Sequence, residues 1–208
     1  YVILKRTRTC KTHTTQHKET MGVPNYFSYI IKTHTHILHK YMQMVQSNIS
    51  FARLYMDCNS ILYDSFHSVD RTQNPAIVEK EILDKTSAKI EEYIAKIRPT
   101  ECVYIAFDGV APLAKIAQQK TRRYKSWFES ANVATFESTP TPEISSSMFT
   151  PGTDFMKKLS AHIKRHFLND SMKQKYHVRD IYVATPDHPG EGEHKLYTHL
   201  RENPLDST

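Results

Sequence analysis

Three short apolar runs constrain this chain more than any other feature: FARLYMD (51–57), CVYIAFD (102–108) and DIYVAT (180–185). Each is rich in β-branched or aromatic residues and reads as a buried strand. Between the first two lies AIVEKEILDKTSAKIEEYIAKIRP, a long helical pattern with Ile82, Ile90, Ile94 and Ile97 on a recurring face and Pro99 just past its end. Strand, helix, strand in that order implies a right-handed crossover and a parallel sheet. The expected class is therefore α/β, a parallel sheet flanked by helices.

The remaining segments fit that plan. After the second run, Gly109 allows a turn and Pro112 suits the first turn of a helix over PLAKIAQQKTRRYKSWFESA. Trp127 and Phe128 near its end read as core or helix-packing residues. TFESTPTPEISSS (135–147) has the composition of a surface loop. Thr150, with Pro151 behind it, is the expected cap of a helix on which Phe155, Leu159, Ile163 and Phe167 recur every four residues. Near the start, the pattern turns helical for about two turns from Tyr26.

Charge has to be placed before it means anything. The chain has 208 residues and a net charge of +6, but residues 1–20 hold five Lys or Arg against one Glu and so supply most of it. That stretch, polar and Thr-rich, reads as a disordered basic extension, with Met21 as the natural start and residues 21–208 as the folded unit. No run is apolar enough to span a bilayer and no signal peptide is evident, so an intracellular protein is expected. Cys10, Cys58 and Cys102 are odd in number and in no ligand spacing, which suits free thiols. His34, His36 and His39 lack a nearby carboxylate or Cys partner and read as exposed polar residues.

Acids mark the strand ends. The first run closes on Asp57, the second on Asp108, and the third leads within a few residues to Glu191 and Glu193 in DHPGEGEHKLY. Each has an ordinary reading alone, since Asp after a strand serves turns and caps, and acids in a first helical turn offset the macrodipole. In a parallel sheet, however, the carboxyl ends share the edge where ligands bind. Four carboxylates at one edge repel unless a cation neutralises them, and oxygen-only donors suit Mg²⁺ or Mn²⁺. Gly192 leaves room for close approach, and Asn59 is placed to lend its carbonyl or a hydrogen bond.

A basic helix follows the second strand. Lys115, Gln119 and Arg122 stand at i, i+4 and i+7 with Arg123 beside them, and residues 109–128 contain no acid. A solvated basic face is one reading; a set of phosphate donors beside a metal site is the other. Metal-binding acids next to phosphate donors indicate phosphodiester chemistry.

With those residues assembled, residues 21–208 resemble the N-terminal segment of the 5′→3′ exoribonucleases of the Xrn/Rat1 type. MGVPNYF is similar to the opening of that family, LYMDCNSILY to its first acidic motif and AFDGVAPLAKIAQQKTRR to its second. TPGTDFM is similar to a spacer motif and PGEGEHK to the third. The resemblance implies a PIN-like (flap-nuclease-like) core that uses Mg²⁺, two ions in a complete site, to degrade single-stranded RNA from a 5′-monophosphate end into mononucleotides. It implies Asp57, Asp108, Glu191 and Glu193 as catalytic metal ligands, and Lys115, Gln119, Arg122 and Arg123 as the 5′-phosphate pocket. Tyr63 takes the place of the usual His that stacks on the terminal base, and an aromatic ring still stacks.

The resemblance also sets expectations about completeness. The family carries further metal-binding aspartates in a DAD-like segment beyond the third motif. This chain reaches Thr208 without them, so it reads as a fragment whose remaining catalytic segment is on the same or another chain. The alternative is a pseudonuclease that binds 5′-phosphorylated RNA or a partner without cutting. Flap-type nucleases share the acids but lack the AKIAQQKTRR pocket. A cytoplasmic setting is expected ahead of a nuclear one, because LKRTRTCK is too sparse for a nuclear signal.

Overall fold

The computed structural model describes residues 26–35, 51–113, 115–117, 119–121, 124–125, 128 and 144–204. The proposed extension over residues 1–20, together with Cys10, His36, His39, Arg122, Arg123 and Trp127, lies outside them. Three strands form one parallel sheet in the order β1 (Arg53–Asp57), β2 (Cys102–Ala106), β3 (Asp180–Ala184). The register aligns Leu54 with Val103 and Ile181, and Tyr55 with Tyr104 and Tyr182. Successive side chains of a strand point to opposite faces, so these two rows belong to different sides of the sheet.

The Leu54 side is the core. Leu54, Met56, Val103, Ile105 and Ile181 are buried there with residues of two helices, α3 (Pro75–Ile97) and α4 (Asp154–Phe167). Ile82, Ile90, Ile94 and Ile97 of α3 are buried as their spacing requires, as are Phe155, Leu159, Ile163 and Phe167 of α4. Asn74 caps α3 by accepting the Ala76 N–H at 2.9 Å. The helix ends at Arg98, which is left-handed at φ 52°, and Pro99 cannot supply the next N–H. Glu91 of α3 accepts from His166 of α4 at 2.6 Å and from Tyr176 of α5 (Asp170–Tyr176), tying the three helices together.

The other side carries an aromatic row. Tyr55, Tyr104 and Tyr182 stack with centroids 5.8 and 6.1 Å apart, and His199 of α6 (Gly192–Glu202) lies 4.6 Å from the central ring. The Tyr55 hydroxyl and His199 Nδ1 are 3.1 Å apart. This contact lays α6 across β1 and β2, which sets where its N-terminus points.

Several boundaries differ from the sequence expectation. β2 ends at Ala106, so Asp108 lies two residues beyond the strand; the Phe107 N–H still reaches Ala184 O at 2.9 Å, after which the Asp108 N–H turns to Asn59 Oδ1. Thr150 is not the cap of α4. It closes a 3₁₀ turn, Ser146–Phe149, and Gly152 at φ 93° redirects the chain so that Thr153 accepts the Met156 N–H instead. A short helix α2 (Asn59–His67) and α5 carry too little periodicity to be read from sequence. Helix α1 (Tyr26–Thr33) spans the expected two turns, and the loop expected over 135–147 is described only from 144.

The described residues of 113–128 are helical, entered through the Ile116 N–H bond to Pro112 O. Phe128 is not a core residue: it is 52% exposed. Cys58 and Cys102 are buried free thiols, and His34 is exposed. Among the described residues no helix is long and apolar enough to cross a membrane.

Candidate functional site

The carboxyl edge of the sheet is built by three loops held to one another by main-chain bonds. The Gly109 N–H donates to Gly190 O and the Gly190 N–H donates to Val110 O, both at 2.9 Å, clasping the loop after β2 to the loop after β3. A Cβ on Gly109 would lie 1.9 Å from His188 O, so only glycine permits this approach. The clasp delivers α6 with its first N–H groups facing the ends of β1 and β2.

Those N–H groups are used. The Gly192 N–H donates to the Asp108 carboxylate at 2.7 Å. On the other side of Gly192 stands Asp57, with its Oδ1 2.9 Å and its Cγ 3.1 Å from where a Cβ would be. The room that Gly192 leaves is thus filled by the carboxylate at the end of β1. Asn59 links the two strand ends: its N–H donates to Asp57 Oδ1 at 3.3 Å and its side-chain oxygen accepts the Asp108 N–H at 3.2 Å.

Six of the nine residues nominated from sequence line one pocket: Asp57, Asp108, Glu191, Glu193, Lys115 and Gln119. Glu191, the N-cap residue of α6, makes no side-chain cap; both of its oxygens engage Lys115 Nζ, at 2.6 and 2.8 Å. Glu193 lies in the first turn of α6, where the helix dipole favours it. Arg122 and Arg123 lie outside the described residues. Tyr63 does not line the pocket; it stands on α2, 43% exposed, edge-on to Phe149 at 5.1 Å.

The crowding has an electrostatic cost. Asp57 keeps accessible surface, but that surface opens into the pocket, where protein atoms displace bulk water from the carboxylate. This desolvation, followed by the charge of Asp108, pushes its pKa up to about 6; the Asn59 N–H offsets part of it, and Glu193 and Glu191 add to it. Although the four acids share one pocket, no group of three or more His, Cys, Asp or Glu among the described residues is arranged as a metal site. Two of the acids are already engaged, Glu191 by Lys115 and Asp108 by the Gly192 N–H.

One buried cation under the site escaped the sequence reading. Lys195, 9% exposed, sends its Nζ to Phe107 O at 2.7 Å and Thr185 O at 3.0 Å, just past the ends of β2 and β3. Burial lowers its pKa to about 8, against the fields of Asp108, Asp187 and Asp57, which raise it. Its position four residues after Glu191, hence on the same helical face, was the available signal. Lys195→Met is expected to cost about 1–3 kcal/mol at neutral pH, because two carbonyls lose their donor. Urea unfolding checks this, and a variant as stable as the parent would mean that relief of lysine burial outweighs the lost bonds.

With the geometry in view, comparison with known proteins decides the family. Residues 21–207 match the model described as the XRN 5'-3' exonuclease N-terminus. The chain belongs to the XRN 5'-3' exonuclease N-terminus family. It is 32% identical over 191 residues to 5'-3' exoribonuclease 1 of Saccharomyces cerevisiae, covering 87% of this chain and 12% of that protein. Against 5'-3' exoribonuclease 1 of Homo sapiens it is 31% identical, with 87% and 11% covered. The 5'-3' exoribonuclease 2 homolog of Caenorhabditis elegans is 34% identical over 175 residues, with 73% and 17% covered. The chain therefore spans between a tenth and a fifth of the length of these curated relatives.

Proposed function

We propose that this chain carries the end-recognising part of a PIN-like, divalent-metal 5′→3′ exoribonuclease, which acts on single-stranded RNA bearing a 5′-monophosphate and releases mononucleotides. The observation that carries the reading is the pocket in which Asp57, Asp108, Glu191 and Glu193 meet Lys115 and Gln119. The donor set is all oxygen and its crowding already raises one carboxyl, which fits a hard cation such as Mg²⁺ or Mn²⁺. The four acids would hold the metal, two ions when the site is complete; bound there, it supplies Lewis-acid charge and an activated water for phosphodiester hydrolysis.

The chain's own groups do the rest. Lys115 and Gln119, with Arg122 and Arg123 a few residues further along the sequence, grip the terminal phosphate and so set which bond lies over the acids. Tyr63 offers an exposed ring for a terminal base. Register then comes from the chain end and not from base sequence. Further acids, on this polypeptide or another, complete the ligand set, and the setting is cytoplasmic.

Product analysis tests the proposal. The 208-residue chain is incubated with 5′-monophosphate or 5′-triphosphate RNA in Mg²⁺ or chelator, beside Glu193→Gln. Mononucleotides from the monophosphate substrate alone, abolished by chelator and by the substitution, are expected if the four acids suffice. Binding that depends on the monophosphate but brings no cleavage would favour the second reading, a phosphate-binding pseudonuclease. The engagement of Glu191 by Lys115 is the feature that speaks for it.

A further inference from the structure

The phosphate side and the metal side of this pocket are not independent. Lys115 comes from the helix after β2 and Glu191 from the N-terminus of α6, 76 residues later, yet both oxygens of Glu191 lie within 2.8 Å of Lys115 Nζ. The pair is largely withdrawn from water, with side-chain exposures of 31% and 13%. Low exposure makes it stronger than a surface ion pair, and each partner is occupied by the other. Glu193, two residues on, is exposed and has no cationic partner among the described residues.

We propose that the Lys115–Glu191 pair is a latch that couples the two halves of the site. Closed, it keeps the Lys115 ammonium from a terminal phosphomonoester and the Glu191 carboxylate from a cation. A cation that takes Glu191 frees Lys115 for the phosphate, and a phosphate that takes Lys115 frees Glu191 for the cation. Coupling of this kind is reciprocal, so each ligand strengthens the other by the same factor. The consequence is ordered use of the pocket: the empty protein holds phosphate ends weakly, and commitment to an end comes with the metal. This rests on the proposed phosphate role of Lys115.

The test can be run without metal. Binding of a fluorescent oligoribonucleotide with a 5′-phosphate is compared with its 5′-hydroxyl counterpart in chelator, so that backbone contacts cancel in the ratio. For the 208-residue chain the ratio is expected to be small in chelator and to rise about tenfold in Mg²⁺. Glu191→Gln, which opens the latch, should raise the metal-free ratio by a similar factor, whereas Glu202→Gln, at the exposed far end of α6, should change it by less than about twofold.

A double-mutant cycle separates the latch from simple charge repulsion. In a Lys115→Met background the gain from Glu191→Gln should vanish. An equal gain with and without Lys115 would mean that Glu191 only repels the phosphate, and the latch would be overturned while the phosphate reading stands. Absence of any preference for the phosphate end in the unsubstituted chain, in Mg²⁺ as well as in chelator, would overturn both.

Discussion

Asp57→Asn is expected to raise the melting temperature of the metal-free protein while reducing the proposed RNA degradation by at least about a hundredfold. The sign follows from the carboxyl's pKa of about 6, above the ordinary aspartate value. A raised carboxyl pKa means that the ionised form is disfavoured in the folded state. Above pH 6 it therefore costs stability, and the cost disappears as the pH falls below the unfolded value near 4. Asparagine keeps the oxygen that accepts the Asn59 N–H and removes the charge facing Asp108. Because Asp57 retains solvent contact, the gain is on the order of 1 kcal/mol, a few degrees for a chain of this length.

The check is a pair of melting curves at pH 7 and pH 4 with an RNA assay alongside. The advantage of the variant should be present at pH 7 and gone at pH 4. Equal melting temperatures at pH 7 would show that the four acids do not repel one another as their placement implies. A variant that is stabilised and also fully active would remove Asp57 from the proposed chemistry.

Gly192→Ala carries the second large effect, and its sign opposes intrinsic preference. Alanine favours a helix over glycine by about 1 kcal/mol, so propensity alone predicts stabilisation. In this fold the added Cβ would meet Asp57 Oδ1 at 2.9 Å and Cγ at 3.1 Å, with Asp108 Oδ1 at 3.5 Å. Asp57 is a short side chain at the end of a paired strand, and α6 is held by its bond to Asp108, so neither retreats freely. We expect a net loss of about 1–3 kcal/mol and a drop in activity of about a hundredfold, since displacements near 1 Å at a reacting centre cost that much. Thermal melting together with the RNA assay measures both. A stabilised, active Gly192→Ala protein would show that α6 does not abut the two aspartates.

Much of the architecture was open to a reading of the chain alone. The strands were legible because Leu54, Met56, Val103, Ile105 and Ile181 alternate with tyrosines on the opposite face and end in abrupt polar turns. The faces of α3 and α4 were legible because Ile82, Ile90, Ile94 and Ile97, and Phe155, Leu159, Ile163 and Phe167, recur at helical spacing and all eight reach the core. α2 was missed because Ile61, Leu62 and Phe66 form no extended stripe in nine residues. Thr150 was read as the cap because Pro151 follows it, and the bend at Gly152 is what moves the cap to Thr153.

The candidate site divides along the same line. The residue types were set by the sequence itself: three strands each followed by acids, and a basic helix beside the second, follow from local pattern and from the rule that parallel strands place their carboxyl ends together. Which acids touch was decided only by the tertiary structure. The Gly109 clasp and the packing of His199 on the tyrosine row aim α6 so that its first N–H meets Asp108 and its cap residue meets Lys115. Lys195 likewise becomes a strap across two strands only once they are side by side. Periodicity is a property of a few consecutive residues, whereas an ion pair spanning 76 positions exists only when the whole sheet has placed its two ends within hydrogen-bonding reach.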